Sequence, residues 1–318
     1  MKITEHIKKS GGKTLFSFEI IPPKKGNSIQ ELYDCIDPLM EFKPPFIDVT
    51  TSREEFVYVD KGNGLLDRKI TRTRPGTLGI CAAIKHKYDL DTVPHVLCGG
   101  FTKEETEYLL VDCHYLGIDN IMALRGDAMS HQKYFEASEG GHLYAKDLVS
   151  QIKGLNSGKY LHDVMETRHK SDFCIGVAGY PEKHLESPSL QTDLKRLKEK
   201  VDAGADYVVT QMFFDNKKYF EFVNAAKDAG IHVPIIPGIK PIAVKRHLQL
   251  LPQVFRIDLP ESLISAVENC EINKDVRQVG VEWAIQQSRE LLAAGVPVLH
   301  YYSMGKSDNI EKIMSAIA

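Results

Sequence analysis

The chain is 318 residues long, with 43% hydrophobic and 26% charged residues. That composition excludes disorder, collagen and coiled coil as whole-chain architectures. Its 40 basic and 43 acidic residues leave a net charge of −3, which points to neither a nucleic acid nor an anionic membrane as partner. Along the chain, β-branched and aromatic runs alternate with helical patterns. Residues 14–21 read as a strand between Gly12 and Pro22-Pro23, followed by a helical stretch at 28–42 and a second strand at 46–51. Residues 52–76 are rich in charge and glycine, show no clear period, and read as a loop or lid. A helix at 77–86 and a third strand at 92–98 come next. The helix at 102–116 carries Thr102 as N-cap with Glu104 and Glu105 in its first turn. A fourth strand at 120–126 leads into a loop at 128–143, a helix at 144–155 and a weak segment at 156–171. Strands at 172–180, 207–214 and 234–239 alternate with helices at 189–203 and 216–229. Two or three helices fill 242–294, the eighth strand spans 296–304, and a last helix covers 309–317.

Strict β–α alternation implies parallel strands joined by right-handed crossovers. Eight such units predict a single (β/α)₈ TIM-like barrel over residues 1–318, with an open doubly wound sheet as the alternative. No run of 18 apolar residues suggests a membrane span, and Met1–His6 opens a charged stretch, not a signal core. Cys35, Cys81, Cys98, Cys113, Cys174 and Cys270 form no C-x-x-C pair. They read as reduced, mostly buried thiols of a cytoplasmic protein and argue against structural zinc.

Several local motifs fail on context. Ser10-Gly11-Gly12-Lys13-Thr14 lacks the first P-loop glycine, since position 7 is Ile7, and it precedes a strand. Gly62-x-Gly64 follows no strand and lacks the third glycine of a dinucleotide fingerprint. Arg125-Gly126-Asp127 spells an adhesion tripeptide but ends an interior strand. Glu166-x-x-His169 has metal-ligand spacing, but a di-iron site needs two such pairs.

A barrel carries its chemistry at the C-terminal ends of its strands. Those ends offer Glu19, Thr50, His95, Arg125-Gly126-Asp127, Tyr180, Gln211, Gly238 and Tyr302, with Lys306 just beyond. Glu19 shares a strand face with Leu15 and Ser17, the expected barrel interior. A carboxyl there has a raised pKa, which suits a general acid; a structural ion pair is the other reading. Asp127 follows a glycine that permits close backbone approach to a ligand, or it caps the next segment. Gln211 can read a planar heterocycle or satisfy backbone groups. His95 is equally a ligand contact or a hydrogen-bonded interior histidine. Asp193, Arg196 and Lys200 share one helix face, either solvated or facing a ribose and a phosphate.

Together these residues resemble the methylenetetrahydrofolate reductase family. The resemblance rests on Phe16-Ser-Phe-Glu-Ile-Ile-Pro-Pro23, Pro94-His95, Ala123-Leu-Arg-Gly-Asp127 and Tyr144-Ala-x-Asp147-Leu-Val149. It continues through Val177-Ala-Gly-Tyr-Pro-Glu182 with His184, Lys200-Val-Asp-Ala-Gly-Ala205, Thr210-Gln-Met-Phe-Phe-Asp215 and Ile235-Ile-Pro-Gly-Ile239. It implies a TIM-like barrel with bound FAD across the strand ends. It also implies ping-pong hydride transfer from NADH or NADPH to 5,10-methylenetetrahydrofolate, giving 5-methyltetrahydrofolate for methionine synthesis. By position, Glu19 resembles the acid that protonates N10 and Asp127 the residue beside the flavin pyrimidine and the pterin. Gln211 resembles the amide that bonds folate or nicotinamide, and Lys306 a basic substrate contact. Thr50, His95, Leu124, Arg125, Gly126, Asp127, Tyr144, Ala145, Ala178, Tyr180, His184, Asp193, Arg196 and Lys200 match FAD-contacting positions. Leu251 replaces an aromatic that stacks on substrate, and Arg196 and Glu199 stand where bacterial relatives carry Asn and Arg. The expected partners are these small molecules and further copies of the chain, with no C-terminal S-adenosylmethionine-binding regulatory domain. Two other readings stay open: the same chemistry with electrons from a protein partner, and a non-catalytic flavin- or folate-binding barrel.

Overall fold

A computed structural model describes residues 1–128, 132, 134–162 and 167–318. Its strands are β1 (Leu15–Ile20), β2 (Phe46–Val49), β3 (Glu55–Asp60), β4 (Leu66–Thr71), β5 (Asp91–Leu97) and β6 (Asn120–Leu124). They continue as β7 (Cys174–Gly179), β8 (Tyr207–Thr210), β9 (Ile235–Ile236), β10 (Gly238–Ile239) and β11 (Val298–Tyr302). The helices are α1 (Ile3–Lys9), α2 (Gln30–Ile36), α3 (Thr77–Tyr88), α4 (Lys103–Tyr115), α5 (Ala145–Asn156) and α6 (Leu190–Asp202). After them come α7 (Asn216–Asp228), α8 (His247–Phe255), α9 (Glu261–Glu268), α10 (Asn273–Ala293) and α11 (Asp308–Ile317).

Nine strands pair in the order β10-β11-β1-β2-β5-β6-β7-β8-β9, every pair parallel. The two ends of that order are separated in the chain only by Pro237, so the sheet is a TIM-like barrel whose seventh strand is split. Proline donates no backbone hydrogen bond and interrupts the ladder; its carbonyl still accepts from His300 N at 3.1 Å.

Period-two alternation sorts each strand into an inward and an outward face. Phe46, Val93, Met122, Cys174, Tyr207, Val209, Ile236 and Val298 fill the barrel interior. Ile3 of α1 belongs to the same cluster, and its N–H donates to Asn120 Oδ1 at 2.9 Å. Short α1 thus plugs the N-terminal mouth, an element that the sequence pattern did not suggest. The outward faces, with Phe18, Ile20, Ile47, Val177 and Leu299, pack against the surrounding helices in the main core. The helix starts follow local chemistry: Thr102 and Glu105 form a reciprocal capping box on α4, and Ser189 Oγ accepts from Thr192 N on α6.

The expected loop at 52–76 is instead an antiparallel hairpin. β3 pairs with β4 from Glu55↔Thr71 to Asp60↔Leu66, around a turn where Gly62 and Gly64 hold φ of +77° and +76°. Every β3 residue is exposed, and Phe56-Val-Tyr-Val59 is apolar on both faces, so no alternation marks the strand. The helical stretch at 28–42 divides into α2 and a 3₁₀ turn, Asp37–Phe42, with Pro38 near its start. The sixth strand ends at Thr210, leaving Gln211–Phe214 irregular.

Gly280 of α10 packs directly on the backbone of Ile242, and a methyl group added there would overlap the Ile242 carbonyl. Backbone cannot rotate away as a side chain does, so Gly280→Ala is expected to destabilise by roughly 1–3 kcal/mol or more. Urea unfolding would show this as a lower midpoint at an unchanged slope.

Candidate active site

The interior changes character toward the C-terminal mouth. Above the apolar layer, β1 turns Ser17 and Glu19 inward, β2 Asp48, β5 His95 and β11 His300 and Tyr302. Adjacent registers set Glu19 beside Asp48 on one side and beside Tyr302 on the other. His95 Nε2 lies 3.7 Å from Glu19 Oε2 and 3.6 Å from Asp48 Oδ2, within ion-pair reach of both. Below them Ser17 Oγ meets His300 Nδ1 at 2.8 Å.

This group is dry. Asp48 is 1% exposed, and neither of its carboxylate oxygens nor His95 Nε2 has a hydrogen-bond partner. Burial pushes the Glu19 pKa up to about 7; His95 and Lys240 pull it down, and Asp48 pushes it further up. For His95, burial alone would lower the pKa, but the Asp48 and Glu19 carboxylates outweigh it and the net direction is upward. Lys240, directly after β10, is 6% exposed, and burial lowers its pKa to about 8 against the attraction of Glu19. Tyr302 Oη donates to the Thr210 carbonyl at 2.6 Å and packs against Gly238, where a Cβ would collide with its ring.

A second group lies at the ends of β6 and β7. Gly126 has φ +83°, a left-handed turn that glycine adopts without strain, and it carries the chain past Leu124 and Arg125 to the exposed Asp127. Arg125 makes a bidentate pair with Glu186 at 2.7 and 2.8 Å, and its guanidinium lies 4.9 Å from the Phe135 ring centre. Tyr180 stacks edge-on to His184 at 4.8 Å. Asp193 accepts from Ser187 Oγ at 2.7 Å and from His184 N at 3.2 Å, so it braces the loop after β7 from the first turn of α6. Arg196 Nη1 reaches Ser187 Oγ at 3.4 Å, and Lys200 Nζ donates to the Ala178 carbonyl. Burial lowers the Lys200 pKa to about 8. Electrostatically, Tyr180 feels Asp193, Asp127, Arg125 and Glu186, so these groups form one charged neighbourhood.

The remaining candidates lie apart or are engaged otherwise. Thr50 N donates to the Ile20 carbonyl at 3.1 Å, and its own carbonyl accepts from Thr77 Oγ1 at 2.9 Å. Gln211 Oε1 folds back to accept from Met212 N at 2.9 Å. Lys306 is exposed on the turn after β11. Tyr144 and Ala145 sit at the N-cap and first residue of α5. Leu251, where an aromatic stack was expected to be replaced, is 2% exposed within an apolar cluster with Met212, Phe214 and Ile242. Glu199 pairs with Lys146 at 2.9 Å. The expected Glu166–His169 pair falls partly outside the described residues, because Glu166 is among those not described. Among the described residues no His, Cys, Asp and Glu cluster could hold a metal. All six cysteines are free and buried, and no described helix is long and apolar enough to cross a membrane.

Sequence reading passed over Asp48 and Lys240. The available signal was a charge inside an apolar run, Phe46-Ile-Asp-Val49 and Ile235-Ile-Pro-Gly-Ile-Lys240, which is costly unless it faces a polar interior.

Residues 2–318 match the family model described as methylenetetrahydrofolate reductase. The chain belongs to the methylenetetrahydrofolate reductase family. It is 33% identical over 307 residues to "Methylenetetrahydrofolate reductase 1" of Schizosaccharomyces pombe, covering 96% of this chain and 45% of that protein. It is 32% identical over 324 residues to "Methylenetetrahydrofolate reductase (NADH) 1" of Arabidopsis thaliana, covering 98% of this chain and 49% of that one. The chain therefore spans about half the length of these relatives. Against "5,10-methylenetetrahydrofolate reductase" of Escherichia coli, identity is 32% over 298 residues, with 93% of this chain and 88% of that protein covered. Among solved structures, a protein from Clostridium thermocellum that binds two copies of 5-methyl-5,6,7,8-tetrahydrofolic acid matches with TM-score 0.56 at 16% identity, over 99% and 97% of the two chains. At that identity the likeness speaks for the fold alone.

For a methylenetetrahydrofolate reductase family member, the buried Glu19 carries a stability signature. Its folded pKa of about 7 exceeds the ordinary 4.5, so the folded state keeps a proton that the unfolded chain loses. Stability contributed by this group is present below about 4.5, declines as pH rises to about 7, and then stays level. Glu19→Gln removes that titration. The variant is expected to gain on the native protein between pH 4.5 and 7, by at most roughly 3 kcal/mol, in urea unfolding at a series of pH values.

Proposed function

We propose that this chain reduces 5,10-methylenetetrahydrofolate to 5-methyltetrahydrofolate, as a cytoplasmic barrel enzyme that binds FAD and takes electrons from NADH or NADPH by a ping-pong route. The observation that carries this reading is the family match over residues 2–318, in a chain that sets the Glu19 carboxyl beside Asp48 and His95 at the end of β1. The Escherichia coli relative, matched over 88% of its length, is named 5,10-methylenetetrahydrofolate reductase.

The donor set at the β6 and β7 ends fits an anionic dinucleotide. Arg125, Arg196 and Lys200 bring positive charge to one side of the mouth, and the Lys200 ammonium is held by a main-chain carbonyl, not by a carboxylate. Gly126 in a left-handed turn lets backbone approach a planar ring. Thr50, His95, Leu124, Tyr144, Ala145, Ala178, Tyr180, His184 and Asp193 complete the surface that would hold FAD. FAD held there would supply the hydride chemistry that links a nicotinamide to the folate.

The chain's own task is the proton. Reduction of the substrate breaks its methylene–N10 bond, forms a C–H bond, and leaves N10 needing a proton. N10 is a poor leaving group until it receives one. Glu19, protonated below about pH 7, is the acid that can supply it at neutral pH. Asp127 stands at the exposed end of the β6 turn, where its negative charge opposes further negative charge in the ligand next to it. Gln211 and Lys306 offer an amide and an ammonium to substrate, the former after release of its Met212 contact.

Two kinetic outcomes test this. In Glu19→Gln, flavin reduction by nicotinamide should stay near native, because it requires no acid, while reoxidation by methylenetetrahydrofolate should fall by ~10²–10⁴. Stopped-flow measurement of each half-reaction decides it, and native reoxidation in the Gln variant would remove Glu19 from the mechanism. In Asp127→Asn, the flavin midpoint potential should rise, and folate reduction should slow more than NADH oxidation. Equal slowing at an unchanged potential would assign Asp127 a holding role only.

A further inference from the structure

The proton-donor reading of Glu19 leaves a charge to be accounted for. Once Glu19 has given its proton away, two carboxylates, Glu19 and Asp48, stand side by side on β1 and β2, the latter 1% exposed. His95 is the single cation within 4.0 Å of either among the described residues. One imidazolium between two carboxylates leaves an uncompensated negative charge, which a dry interior disfavours strongly.

Lys240 stands where the missing positive charge belongs. Gly238↔His300 and Ile239↔Tyr301 are register partners, so Lys240 continues level with Tyr302, and Tyr302 is in turn level with Glu19. Ile236 and Gly238 face the interior, and Lys240 follows at the same parity. Its side chain is buried, yet among the described residues it makes no hydrogen bond and has no carboxylate within 4.0 Å. A largely buried lysine with no ion-pair partner is placed to gain from an anion that forms level with it during the working cycle. We propose that Lys240 is the second counter-charge of Glu19, a positioning residue whose ammonium stabilises the carboxylate left when Glu19 donates its proton. This rests on the reading of Glu19 as the acid. Donation then turns a net positive cluster, Asp48, His95, Lys240 and neutral Glu19, into a balanced one of two carboxylates and two cations.

The surroundings of the pair bear on its pH dependence. Glu19 faces Asp48 from β2, His95 from β5, Tyr302 from β11 and Lys240 beyond β10. His300 feels Asp48 and His95 electrostatically, Tyr302 feels Tyr180, and His247 at the start of α8 feels Lys240. Burial and the Lys240 charge depress the His247 pKa to about 4, so His247 is neutral where the enzyme would work and does not replace the ammonium.

The test is Lys240→Met, with Lys240→Arg as the charge-keeping control and Lys240→Gln as a second neutral variant should Met collapse the site. Two readouts are taken on the purified flavoprotein: the pH profile of reoxidation by methylenetetrahydrofolate, and an infrared titration of the Glu19 carboxyl, assigned by its loss in Glu19→Gln. In the neutral variants both midpoints should move up by about one pH unit, with reoxidation at pH 7 slowed about three- to tenfold and flavin reduction by nicotinamide unchanged. Lys240→Arg should restore the native midpoints. Unmoved midpoints, or a downward move, would overturn the proposal even if Glu19→Gln blocks reoxidation. Native reoxidation in Glu19→Gln would instead overturn the acid role itself, while the infrared midpoint still reports whether Lys240 and Glu19 are paired.

Discussion

Removing a carboxyl from water at the mouth of a barrel is the constraint around which the upper interior is arranged. An unpaired buried carboxylate costs several kcal/mol, so such a group either keeps its proton or collects positive charge. Here it does both by degrees. Burial raises the Glu19 pKa to about 7, and His95 and Lys240 keep it from rising further. The result is an acid poised close to neutrality, the condition under which a general acid is most useful. The same arrangement reduces folded-state stability above pH 4.5.

The fold makes this possible by dividing its interior into layers. The lower layer, Phe46, Val93, Met122, Tyr207 and Val298, is apolar and sealed from below by Ile3. Above it, on β2, β5 and β11 the inward position two residues further along is polar: Asp48 follows Phe46, His95 follows Val93, His300 follows Val298. Parallel registers bring these replacements to similar heights on neighbouring strands. Charges that are far apart in the chain thereby meet at ion-pair distance.

The second group, around Arg125 and Asp193, follows different physics. It is built from turns after β6 and β7 and from the first turns of α6, held by side-chain bonds such as Asp193 to Ser187 and Arg125 to Glu186. Asp193 and Ser187 are buried, whereas the Arg125–Glu186 pair is more exposed than Glu19 or His95. The hairpin β3–β4 lies in the segment that joins β2 to α3, and it differs again: it shows no burial pattern along β3, and its pairing combines backbone bonds and a glycine turn with cross-strand contacts such as Arg68 over the Phe56 ring.

Sequence alone determined the alternation of strands and helices, hence the barrel, because burial of one strand face and one helix face imposes periods of two and 3.6. It also marked Glu19 as costly where it stands, since a carboxyl within Phe16–Ile21 needs a reason. It missed α1, whose seven residues are too short for a helical period to stand out and whose value lies in plugging a distant mouth. It misread 52–76, since a hairpin apolar on both faces has no alternation to detect. Only the tertiary structure decided what surrounds Glu19. Asp48, His95 and Lys240 lie 29, 76 and 221 residues further along the chain, and no local spacing relates them. Their meeting depends on which strands are neighbours and in which register, and that is set by closure of the whole barrel.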